Sequence, residues 1–217
     1  LFIFLNFKLE YMADLMDLLN GQLSDGMLDM LSQQMGGADK EQTAAAASGI
    51  MSTLMGALAK NASTEDGAQS LNNALENDHD GSILDDVMGM LSGQNAKPEH
   101  SKMLNGGGIL KHLLGDRQGG AIDMISKMSG LSSGNTGNLM SMLAPLVMGT
   151  LGQQKRQSGL DVGGLMSLLS GTVGGRKDKD PMMGLVSSFL DKDGDGSIVD
   201  DVAGMGMKIL GGLFKRR

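Results

Sequence analysis

Ile50-Met51-Ser52-Thr53-Leu54-Met55-Gly56-Ala57-Leu58 decides the class of the fold. Ile50, Leu54, Ala57 and Leu58 stand at i, i+4, i+7 and i+8, the spacing that gathers side chains on one face of an α-helix. A second stretch does nearly the same with Leu139, Leu143, Leu146 and Val147. It contains Pro145, which is expected to kink the helix or free a carbonyl, because proline lacks the N–H that would bind it. No segment alternates apolar and polar residues as a half-buried strand does. The expectation is an all-α protein.

Outward from these two helices the chain repeats itself. Leu18-Leu19 aligns with Leu113-Leu114, and Leu28-Asp29-Met30-Leu31-Ser32 with Ile122-Asp123-Met124-Ile125-Ser126. Met55-Gly56-Ala57-Leu58 then aligns with Met148-Gly149-Thr150-Leu151. Such self-similarity points to duplication, and units this small are expected to pack together. Residues 12–97 form the first unit and 98–217 the second, with Asn95 to Lys97, before Pro98, as the boundary. A flexible insertion is expected near 156–180, its glycine-rich part running from Gly171 to Lys179. Ser63-Thr64-Glu65-Asp66 reads as a capping box that opens a helix.

Each unit closes on an acidic stretch. The first is Glu76-Asn77-Asp78-His79-Asp80-Gly81-Ser82-Ile83-Leu84-Asp85-Asp86-Val87. The second is Asp191-Lys192-Asp193-Gly194-Asp195-Gly196-Ser197-Ile198-Val199-Asp200-Asp201-Val202. Alternating acids followed by glycine match the front half of a calcium loop, where carboxylates converge on a hard cation and the glycine turns the chain. Asp191, Asp193, Asp195 and Asp201, with Asp78, Asp80 and Asp86, are the candidate metal ligands. The closing position holds Val87 or Val202 instead of a bidentate Glu, so any calcium affinity should be weak, roughly 10⁻⁴ to 10⁻³ M. The same residues also read as helix caps. Ser82 to Asp85 and Ser197 to Asp200 are S-x-x-D boxes, and acids in a first turn favour the helix dipole. Both readings can hold at once.

Composition narrows the function classes. A net charge of −7 argues against a phosphate-binding surface. With 34 glycines and 20 methionines, the helices should be short and the core adaptable. The chain has no cysteine, hence no disulfide and no thiolate site, which fits a reducing compartment, with the cytoplasm as the expected location. No run approaches the length of a membrane span. Residues 1–11 hold Phe2, Phe4, Phe7 and Tyr11, four of the six aromatic residues. They differ enough from the chain beyond Met12 to read as a non-native extension.

Asn61-Ala62-Ser63-Thr64 and His79 to Asp86, with Gly107-Gly108-Ile109-Leu110-Lys111-His112-Leu113-Leu114-Gly115 and the second acidic loop, resemble bacterial domain-of-unknown-function family 937, the YidB-like proteins. The resemblance extends over nearly everything from Met12 onward. It implies a homeodomain-like helical fold for short members and no assigned activity, so no catalytic or binding residue is carried over.

A homeodomain-like fold makes nucleic-acid binding the sharpest rival. A helix over 120–128, the turn Ser129-Gly130-Leu131-Ser132 and a helix from Gly134 could form a helix-turn-helix presenting Ser133, Asn135 and Asn138. Against it, no Lys or Arg occurs from Leu131 to Gly152, and phosphate neutralisation dominates such affinity. Gly130-Leu131-Ser132-Ser133-Gly134 matches a hydrolase string but lacks the preceding strand it needs. His79, His100 and His112 lack metal-like spacing. The tail with Lys208, Lys215, Arg216 and Arg217 could touch an anionic membrane, although its glycines weaken the helix required. The expectation is a non-enzymatic protein with a structural or protein-interaction role, through an unknown partner or self-association. Calcium is the one cofactor in view, and nucleic acid and membrane are disfavoured.

Overall fold

A computed structural model describes residues 15–79, 81–82, 84–91, 104–175 and 181–190. Every regular element among them is helical. In chain order these are α1 (Leu15–Gln22), α2 (Asp25–Gln34), α3 (Lys40–Asn61), α4 (Glu65–Asn77) and α5 (Leu84–Leu91). Then come α6 (Gly106–Leu114), α7 (Gln118–Ser129), α8 (Ser133–Ser158), α9 (Val162–Gly174) and α10 (Pro181–Leu190). A short 3₁₀ turn, Gly115–Arg117, joins α6 to α7. The chain is all-α over these residues.

The two stretches with the clearest helical period lie in the long helices α3 and α8, which pack against each other at the centre. The periodic face understates their burial. From Gly49 to Ala59 every residue of α3 is buried, and from Leu143 to Gly152 every residue of α8. A helix enclosed on all sides loses the polar face that a surface helix keeps. Small side chains make this enclosure possible for α3. At Gly56 an added Cβ would stand 2.9 Å from Leu190 Cδ1 and 3.0 Å from Val186 Cγ1, so α10 seats in a notch cut by that glycine.

Pro145 does not end α8, which runs on to Ser158. The acceptor it leaves without a partner in the helical ladder is the Ser141 carbonyl, four residues earlier. The first residue of α6 lies directly against that oxygen. A Cβ at Gly106 would be 1.7 Å from Ser141 O, so the glycine Cα–H faces the freed carbonyl at close range.

The halves of the chain complete one another's core. α10 packs on α3, α5 packs on α8, and α4 meets α9. One apolar cluster contains residues from Leu15 to Leu190. The order of helix lengths also recurs: 8, 10, 22, 13 and 8 residues in α1–α5, then 9, 12, 26, 13 and 10 in α6–α10.

Two local expectations change. The stretch expected as a flexible insertion carries α9, and Gly171 and Gly174 are helical within it. Leu165, Leu168, Leu169, Thr172 and Val173 fall at i, i+3, i+4, i+7 and i+8 and are buried, and that stripe outweighs the glycine content. Residues 176–180, the boundary at Asn95 to Lys97 and the extension 1–11 lie outside the described residues. At the start of α4, the capping residue is Thr64, whose hydroxyl accepts from the Gly67 N–H at 3.1 Å. Ser63 instead donates to the Lys60 carbonyl at 2.7 Å and closes the end of α3.

Candidate functional site

The first acidic loop leaves α4 through two consecutive backbone bonds to one acceptor. The N–H groups of Asp78 and His79 both donate to the Ala74 carbonyl, each at 3.0 Å. Gly81 then takes φ +94, in the region that favours glycine. Its Cα is pressed on α8, since a Cβ there would stand 2.7 Å from Gln153 Cβ. Further along α8, Lys155 Nζ pairs with Glu76 Oε1 at 2.7 Å. The hydrogen bond from Lys155 holds the Glu76 carboxyl below its ordinary value, helped by the Asn72 side chain. The loop is therefore fastened to the long helix of the other half.

Of the candidate metal ligands, Asp78 is exposed at the end of α4 and Asp86 is half-buried in the first turn of α5. Asp80, Asp191, Asp193, Asp195 and Asp201 lie outside the described residues. Among the described residues, no group of three or more His, Asp or Glu side chains is placed to hold a metal ion. The S-x-x-D box of the second loop is likewise outside them, and α5 begins at Leu84.

Beside the loop, the end of α3, one face of α4 and the length of α6 line a cavity of about 650 Å³ that is open to solvent. Thr64 and Asn105 line it, and each caps a helix that forms a wall: Thr64 for α4, and Asn105 Oδ1 accepting from the Gly108 N–H at 3.0 Å for α6. Asn61 crosses between the walls, its Nδ2 donating to the Leu113 carbonyl at 3.1 Å. Leu71, Ala74, Ile109, Leu113 and Met148 supply the apolar lining. Asp66, His79 and His112 supply the titratable groups, and no Lys or Arg is among the lining residues.

His79 stands apart from the other two. It is only 7 % exposed, and its Nδ1 is buried with no hydrogen-bond partner. Burial holds its imidazole below the ordinary value of 6.5, against the opposing pull of the Asp78 carboxylate, so the ring is neutral near pH 7. His112 is exposed. Spacing along the chain gave no reason to associate these two histidines; their place on the lining of one cavity does. One signal was available in the sequence: the two acidic stretches differ at this place, His79 against Gly194.

Of the residues considered for base contacts, Asn135 has another duty, in a turn that is built by helix caps. Ser132 caps α8 by accepting from the Asn135 N–H at 3.2 Å, and Gly130 ends α7 at φ +77. Asn135 Nδ2 donates to the Met35 carbonyl at 3.4 Å, which ties α8 to the end of α2. Ser133 and Asn138 are exposed.

A family model described as "Bacterial protein of unknown function (DUF937)" matches residues 17–154, well over half of the chain. The chain belongs to this DUF937 family. The match is narrower than the resemblance from Met12 onward had suggested. It covers α1 through most of α8, so the first acidic loop and every residue lining the cavity lie inside the DUF937 span, while the second acidic loop lies beyond it. No curated protein and no solved structure matched the chain. No described helix is long and apolar enough to cross a membrane.

Proposed function

We propose that this DUF937 protein is a non-enzymatic helical scaffold with a structural or protein-interaction role, built from two duplicated units that its acidic loops fasten together. The observation that carries the reading is the docking of the first loop on α8, by the Glu76–Lys155 pair at 2.7 Å and the close approach of Gly81 to Gln153. An acidic loop that served only to cap α5 would have no need of a partner on a distant helix. The alternating carboxylates add a finer proposal, that a hard cation such as calcium occupies the loops weakly and tightens the same fastening.

Charge reversal tests the fastening. Glu76→Lys or Lys155→Glu alone should speed amide exchange over 76–87, and the double reversal should restore protection. Exchange unchanged in the single variants would remove the loop from any fastening role. Calcium titration by calorimetry tests the cation: heat that disappears in Asp193→Ala plus Asp195→Ala supports it, and a flat titration to millimolar calcium leaves the loops as caps.

A further inference from the structure

We infer that the cavity between α4 and α6 is a binding site for a small neutral amphiphile, with an apolar body against Leu71, Ile109, Leu113 and Met148 and a hydrogen-bond donor directed to His79. Three observations converge on that chemistry. The volume of about 650 Å³ lies in the range of small-molecule sites, roughly 300–1,000 Å³. The lining combines apolar side chains with the polar groups of Asn61, Thr64, Asn105 and the histidines, so a ligand with an apolar body and a hydrogen-bonding group is matched better than a wholly apolar one. His79 lines the cavity and carries a buried ring nitrogen with no partner in the protein, a rare arrangement because its desolvation is uncompensated.

The charge of the ligand is set by the same residues. With Asp66 as the one carboxylate and no Lys or Arg on the lining, nothing described there would balance an anion. Neutral His79 carries one accepting ring nitrogen and lines the cavity, so the ligand's donor is assigned to that side chain. His79 belongs to the first acidic loop, so the site shares that loop's position on α8 but requires no cation.

Fluorescence titration with N-phenylnaphthylamine tests this in the intact chain, because that probe is neutral, largely apolar and carries one N–H. Its sulfonated analogue, anilinonaphthalene sulfonate, supplies the anionic comparison. Binding of the neutral probe with little binding of the anion is expected, and Ala74→Phe should weaken it by about tenfold or more by filling the cavity. Ser70→Trp, at an exposed position on the rim, should do the same without disturbing the core. His79→Phe should weaken the N–H probe but leave phenylnaphthalene, which lacks the donor, unchanged. Equal binding of the anion, or an affinity untouched by both Ala74→Phe and Ser70→Trp, would overturn the site; equal losses of both neutral probes in His79→Phe would overturn the role given to the imidazole.

Discussion

Gly106 and Gly81 each occupy a place where a single methyl group decides the packing. A side chain at Gly106 would overlap the Ser141 carbonyl at 1.7 Å, which is backbone and cannot turn away. Gly106→Ala should therefore cost about 1–3 kcal/mol or more in urea denaturation. Gly81 combines φ +94 with the Gln153 contact, so Gly81→Ala adds backbone strain to overlap, and faster exchange should be confined at first to the loop. His79 makes a prediction with a sign. Its folded pKa is lowered from 6.5, so above that value both states are neutral and the residue contributes no pH dependence. As pH falls below about 6.5 the unfolded chain binds the proton first, and stability is lost until the folded pKa is passed. Denaturation at about pH 7.5 and about pH 5 should show this loss, and His79→Phe should reduce it. The glycine turn at Gly81 was legible from the Asp-Gly dipeptide; the burial of His79 was not, because tertiary packing sets it and no local pattern encodes it.

At the scale of elements, the helical period located α3 and α8 but described each as having one apolar face. Burial on all sides arises because α7, α9 and α10 also pack on α3. The hint lay in the small residues between the large ones, such as Ala46, Ala47, Ser52 and Gly56, which leave room for neighbours on the remaining sides. The Pro145 expectation was met on the second of its alternatives, with Gly106 lying against the carbonyl that proline leaves without a ladder bond. α9 corrects the reading of glycine as flexibility: five buried positions at helical spacing were present in the stretch taken for an insertion. Capping was legible to within one residue. Thr64→Ala should cost about 1 kcal/mol, measured by thermal or urea unfolding, whereas Ser63→Ala removes only the bond to the end of α3.

Across the whole molecule, each half lends the other a helix. Val186 and Leu190 of α10 are buried on the Gly56 notch of α3, and Val87 of α5 is buried in the same continuous core. The halves should then unfold as one cooperative unit. Helical circular dichroism and a fluorescent label on α5 should give coincident urea transitions, and two separated transitions would show that the halves are independently stable. Val186→Ala together with Leu190→Ala should shift the single transition by about 2–5 kcal/mol, because both side chains close the notch over α3.

The sequence by itself determined the helical class, the two long helices and the places where the chain turns. These depend on spacing of 3 to 4 residues and on local backbone chemistry, and both are written within a single segment. It also carried the strings that mark membership of the DUF937 family. Tertiary structure alone decided which helix of one half lies on which helix of the other, where the freed Ser141 carbonyl would be met, and that His79 would stand unpartnered beside a cavity. Those outcomes are set by close approach between residues far apart in the chain, as with Gly106 and Ser141, and no local periodicity encodes them.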